Sequence, residues 1–146
     1  MSFRILSDPI DPATLRAALV RTHAGACVVF EGWVRDLNEG RPVVSLEYEA
    51  FTPLAEREGD RVIAEARGKF SILDAACVHR TGILSLGDLA VWVGVTAAHR
   101  GDAFEACRYI IDQAKKRIPV WKRERYADGS SAWIEQKQVG FPGGPS

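Results

Sequence analysis

The period of the hydrophobic pattern changes several times along the chain, and each change marks an element. Residues 3–6, Phe3-Arg4-Ile5-Leu6, predict a short strand. Asp11-Pro12 then gives a helix start, a carboxylate to cap the first amides followed by a proline where no amide partner is needed. That helix is expected to run to about Val20, with Leu15, Ala18 and Leu19 on its apolar side. Residues 26–34 are almost continuously apolar and partly β-branched, which reads as a buried strand ending at Arg35. Residues 36–42 are a polar loop with Asn38 and Gly40 as turn residues. Residues 44–51 alternate Val44, Leu46, Tyr48 and Ala50 against Ser45, Glu47 and Glu49, so one face of this strand meets water.

Thr52-Pro53 opens a second helix, in which Ala55, Gly59, Val62, Ile63, Ala66 and Phe70 fall at helical spacing. Strands at 74–80 and 88–96 follow, with turn residues at Thr81-Gly82 and across Ser85 to Asp88. A third helix is predicted over 102–117, with Phe104, Cys107, Ile111 and Ala114 as its buried stripe. Pro119 cannot continue it. A hairpin then joins 120–126 to 132–136 through Ala127, Asp128, Gly129 and Ser130. Three main helices alternating with pairs of strands predict an α+β fold with a mostly antiparallel sheet rather than a doubly wound nucleotide fold. Residues 1–138 form one domain, and residues 139–146 have little to pack and are expected to be a mobile tail.

Composition narrows the function. The chain has 146 residues, 47% hydrophobic, enough to bury a core without staples. Lys+Arg and Asp+Glu both number 19, which argues against a surface built to coat nucleic acid. Cys27, Cys77 and Cys107 have no metal-ligand spacing and sit in apolar patterns, so they read as buried free thiols, with no metal site. There is no apolar run of signal-peptide or membrane-spanning length, so a cytoplasmic protein is expected. No GxGxxG or P-loop is present, and no cofactor is called for.

Against this neutral balance, residues 115–125, KKRIPVWKRER, hold six Lys or Arg in eleven positions. Lys115 falls on the last turn of the third helix and Lys122 on the strand it feeds, so a sharp reversal at Pro119 brings both ammonium groups toward one pocket. The competing reading is a solvated basic face that suits the helix C-terminal dipole. Two more polar clusters interrupt apolar elements at their ends: Arg35, and His99-Arg100 before the third helix. A helix start with Gly101 following is a reasonable anion site, and Arg35 and Arg100 offer forked contacts to phosphate. The plainer readings are a backbone-satisfied His99 and an Arg35 ion pair with Asp36 or Glu47. His23 and His79 are assigned no role.

Several stretches together resemble one family. Gly32-Trp33-Val34-Arg35, Leu46-Glu47-Tyr48, His79-Arg80-Thr81-Gly82, Val93 through Arg100 with Ala103-Phe104-Glu105-Ala106, Lys115, and Pro119-Val120-Trp121-Lys122-Arg123-Glu124 are similar to the large, catalytic subunit of molybdopterin synthase, MoaE type. The resemblance covers roughly residues 25–135. It implies an α/β hammerhead fold and a homodimer within a heterotetramer. It also implies a small ubiquitin-like sulfur-carrier partner (MoaD type), whose C-terminal Gly-Gly thiocarboxylate enters the large subunit's pocket. The implied reaction converts cyclic pyranopterin monophosphate (precursor Z) to molybdopterin. By resemblance, substrate binding falls to Trp33, Val34, Arg35, His99, Arg100, Lys115, Lys122, Arg123 and Glu124, and catalysis to Lys115 and Lys122. Trp33 departs from the family, which often has a basic residue there, and the segment after Glu135 matches poorly. Two other classes remain: a noncatalytic phosphate- or RNA-binding module, and a scaffold that only docks a carrier. Neutral charge weighs against the first, and retention of both lysines with His99-Arg100 against the second.

Overall fold

Where the two sheets of this chain meet, they leave the cavity on which the functional reading rests. The computed structural model describes residues 1–134. The first sheet is built from β1 (Ser2–Leu6), β2 (Ala26–Trp33), β5 (Asp74–Arg80) and β7 (Leu89–Ala97), in the order β1-β5-β7-β2. Only the β1–β5 pair in it is parallel. The second sheet orders β3 (Leu37–Asn38), β4 (Arg41–Ala50), β8 (Val120–Tyr126) and β9 (Ser131–Ile134), with β6 (Gly82–Ser85) also paired to β4. All its pairs are antiparallel. Three helices complete the described residues: α1 (Pro12–Ala18), α2 (Thr52–Lys69) and α3 (Arg100–Arg117). The expected α+β architecture with a mostly antiparallel sheet is what forms.

Local chemistry explains the boundaries. Asp11 caps α1, accepting from the Ala13 and Thr14 amides, and Pro12 takes the first helical position. The helix stops at Ala18 instead of Val20. Leu19 turns into a core with Ile10, Val78 and Trp92, on the sheet face opposite the long helices. On the other face, α2 and α3 cover β1, β5 and β7. Val62, Ile63, Ile110 and Ile111 meet Cys77, Val93 and Val95 in the main core. Covered on both faces, β7 is buried through nearly all its length. A second core of Val34, Val43, Leu46, Leu84, Ala90 and Tyr126 lies under the smaller sheet.

Several sequence expectations need correction. β2 is not a buried strand: it is the sheet edge, and Cys27, Val29, Glu31 and Trp33 all face outward. Cys27 is therefore exposed, whereas Cys77 and Cys107 are buried thiols as expected. In β4 a register shift between Val43 and Ser45 turns Val43 inward and leaves Val44 48% exposed, while Leu46 keeps its inward place. Phe104 is 60% exposed, because the buried stripe of α3 runs through Ala103, Ala106, Cys107, Ile110 and Ile111. The short strands β3 and β6 sit in stretches that read as loop and turn, being too brief to show a period. The end of the last predicted strand, at 135–136, and the tail at 139–146 lie outside the described residues.

Gly59 sets how closely α2 approaches β1. A Cβ there would lie 2.1 Å from Phe3 Cγ. Alanine favours a helix over glycine by about 1 kcal/mol, yet overpacking at such a contact costs about 1–3 kcal/mol. Gly59→Ala is therefore expected to lower stability in urea titration. A variant as stable as the parent would show that the Phe3 ring swings clear.

Candidate active site

The end of α3 delivers the first functional group. Ile118 leaves the helix in an extended conformation, its amide bonded to the Ala114 carbonyl, as a residue preceding proline is restricted to do. Val120 then pairs with Ala50 of β4, and Lys122 with Tyr48. Lys115, on the last turn of α3, and Lys122, on β8, thus line one cavity of about 820 Å³, together with Arg35, Tyr48 and His79. Phe3, Val91, Ile111 and Ile118 form its apolar wall.

Among the described residues four cations, Arg35, Arg41, Lys115 and Lys122, line this space with Glu39. Arg41 pairs with Asp128 and lies over the Tyr126 ring, and the electrostatics of the other three register their closeness. Burial lowers the affinity of Lys122 for its proton, and the charges of Lys115 and Arg35 lower it further; Glu124 acts the other way. Glu124 is 3% exposed, and its Oε1 accepts from Asn38 Nδ2 at 2.9 Å and from the Tyr126 hydroxyl at 3.0 Å. It is therefore a buried countercharge held by its neighbours. Tyr48 is pushed up to about 12, first by burial and then by Glu124, so its hydroxyl keeps its proton. Its ring meets the His79 imidazole edge-on, centroids 4.8 Å apart.

The remaining predicted residues fall elsewhere. Strand alternation turns Arg123 away from the face of Lys122 and Glu124: it pairs with Glu47 and lies over the Trp133 ring, 5.4 Å from its centroid. Val34 is 3% exposed and its side chain is sealed in the second core. Trp33 is 67% exposed at the end of β2 and donates its indole N–H to Glu31. His99 and Arg100 are exposed at the start of α3, and neither lines the cavity. Fifteen residues of helix separate Arg100 from Lys115, about 22 Å at 1.5 Å per residue. The expectation of a single pocket shared by all three clusters thus fails within one chain: Arg35 and the lysines come together, and His99-Arg100 does not join them.

The family description "MoaE protein" matches residues 5–117. The chain belongs to the MoaE family. The molybdopterin synthase catalytic subunit of Thermoplasma volcanium is 45% identical over 129 residues, covering 88% of this chain and 94% of that one. The protein of the same name from Pyrococcus abyssi is 46% identical over 119 residues, 82% of this chain and 80% of that one. The crystal structure of molybdopterin synthase from Staphylococcus aureus superposes with a TM-score of 0.87 at 36% identity, covering 91% of this chain and 96% of that one.

Within this MoaE chain, sequence reasoning missed Tyr48, His79 and Asn38. His79 had an available signal, since it ends an apolar strand as Arg35 and His99 do. Tyr48 needed the β4–β8 register, and Asn38 the fold itself.

Burial pushes the His79 imidazole down to about 4, with the nearby Lys115 charge adding to the effect and the Arg80 carbonyl opposing it. Between that value and the ordinary 6.5 the unfolded chain takes up a proton that the folded chain refuses. The His79 contribution thus makes stability fall as pH drops from about 6.5 toward 4. Imidazole nitrogen NMR is expected to find His79 neutral at pH 6, and His79→Phe to flatten this part of the stability profile. A ring half-protonated near 6.5 would contradict the packing.

Proposed function

We propose that this chain is the catalytic subunit of a molybdopterin synthase, transferring sulfur from the thiocarboxylated C-terminus of a small ubiquitin-like carrier to precursor Z. The observation that carries the reading is the gathering of Arg35, Arg41, Lys115 and Lys122 around one cavity lined, among the described residues, by a single carboxylate, Glu39, with a buried countercharge, Glu124, behind Lys122. Such a cavity favours anionic ligands, and the reaction brings two: the substrate phosphate and the carrier's thiocarboxylate. A noncatalytic docking module has no need of converging cations.

Roles follow from position. Lys115, exposed at the cavity rim, pairs with the thiocarboxylate and orients its sulfur toward the substrate. Lys122, half-buried and reluctant to stay charged, is suited to give a proton to a leaving group and to steady developing negative charge. Arg35 holds phosphate with its forked donors. Glycines suit the carrier's tail because its backbone can then approach the walls closely. No helix among the described residues is long and apolar enough to cross a membrane. A cytoplasmic site of action belongs to this proposal.

His99 and Arg100 enter through a second copy. In a homodimer, the start of α3 in one chain can approach the cavity of its partner, which the length of α3 forbids within one chain. The full assembly is then a central homodimer with one carrier bound to each chain.

In a single-turnover assay with thiocarboxylated carrier and precursor Z, Lys115→Ala and Lys122→Ala are each expected to lose most sulfur transfer. Melting temperature should hardly change, since an exposed lysine adds little to folding and Lys122 is charged against its surroundings. Near-parental turnover in either variant would remove that lysine from the chemistry.

Mixing inactive Lys115→Ala chains with inactive Arg100→Ala chains tests the shared site. Random pairing leaves one intact site in each mixed dimer, so about a quarter of parental activity should return. No recovery, with mixed dimers verified by mass, would exclude a site built from two chains.

A further inference from the structure

His79 ends β5 on the face that carries Ala75 and Cys77 into the main core, beyond Cys77, where the core gives way to the cavity. Its Nδ1 lies 2.9 Å from the Arg80 carbonyl oxygen. A carbonyl has no proton to give, so the ring hydrogen is on Nδ1 and Nε2 carries a lone pair. Nε2 receives no hydrogen bond from the described residues, and it is not among the sealed polar atoms of the core. The edge-on contact with Tyr48 fixes the plane of the ring. The cavity therefore contains a neutral, oriented acceptor with no partner among the described residues.

The cations around it recognise the opposite kind of group. Arg35, Lys115 and Lys122 are donors and suit anions. A substrate that joins a phosphate to a heterocycle with N–H groups needs both kinds of partner. We propose that His79 is a substrate-recognition residue whose Nε2 accepts a hydrogen bond from an N–H group on the heterocyclic part of the substrate. This rests on the proposed function and specifies how the same cavity distinguishes its substrate from other phosphates. The opposite role, an imidazolium gripping phosphate, would place a further charge beside Lys115 in a buried position.

The test uses the chain assembled with a carrier ending in an ordinary carboxylate, so that precursor Z binds without turnover. His79→Phe keeps a ring against Tyr48 and removes the acceptor. By calorimetry its affinity for precursor Z is expected to fall about three- to tenfold, the worth of one neutral hydrogen bond. His79→Gln, which presents an amide oxygen, should recover part of the loss. With thiocarboxylated carrier the change should appear in KM for precursor Z, with kcat nearly kept. In the parental complex, the Nε2 nitrogen resonance should move upfield when precursor Z is added, a reading that needs no variant to fold. An Nε2 resonance that does not move, unchanged affinity in His79→Phe, or a loss confined to kcat would overturn the inference. Lys115→Ala assembled with thiocarboxylated carrier separates the two readings. If it is inactive while His79→Phe binds normally, only the His79 role falls; if it is fully active, the assignment of the cavity falls with it.

Discussion

The site depends on one backbone constraint, the break that Pro119 imposes between α3 and β8. Ile118 must be extended before a proline, so an 18-residue helix ends abruptly and the chain enters the second sheet beside β4. That reversal puts Lys115 and Lys122, seven residues apart, on two walls of one cavity. It also sorts the three basic residues of the last helical turn. Arg117 is drawn back to α2, bonding Glu58 and Glu65, which Tyr109 also holds; its hydrogen bond is the main reason Glu65 sits at about 2. Lys115 is left facing the cavity. A run that looks uniformly basic in sequence thus contains a clamp between helices and a cation facing the cavity.

Gathering like charges costs free energy, and the surroundings show how the chain limits that cost. Glu124 places one anion beside Lys122, with Asn38 and Tyr126 fixing its position. Tyr48 and His79 fill the adjacent wall with groups that are polar yet neutral. The positive charge that remains uncompensated is what an anionic ligand would meet. Ligand binding and relief of repulsion then act in the same direction, so the cavity favours occupancy by anions over emptiness.

Much of this was legible in the sequence because it depended on local rules. Asp11-Pro12, Thr52-Pro53 and Pro119 mark helix ends by steric and capping chemistry, and the Lys115/Lys122 juxtaposition follows from the last of them. What escaped depended on tertiary context. Ala26 through Trp33 reads as a buried strand, but whether a strand lies at an edge is decided by its neighbours, and among the described residues only β7 pairs with it. Val44 alternates correctly in sequence and still faces out, since one register shift inverts the face. Arg123 adjoins Lys122 of the cavity and points the other way, a consequence of strand period that a list of motif residues conceals. His79 looks like any histidine until the fold orients it.

The two ends of α3 give the last step. Lys115 lines the cavity at its C-terminal end, while His99 and Arg100 stand at the other, about 22 Å away, next to a helix start that is itself favourable to anions. If both ends serve one substrate, a single chain is incomplete, and the helix length itself requires a partner. The surface near that start fits such a partner: Phe104, one turn into α3, is 60% exposed, and β2, which α3 covers on its inner side, turns Val29 and Trp33 outward. A second copy packed here would cover apolar side chains that water otherwise meets, and the same movement would bring His99 and Arg100 toward its cavity. Burial and catalysis then select the same interface, which explains how an exposed phenylalanine and a charged helix start can be neighbours in one chain.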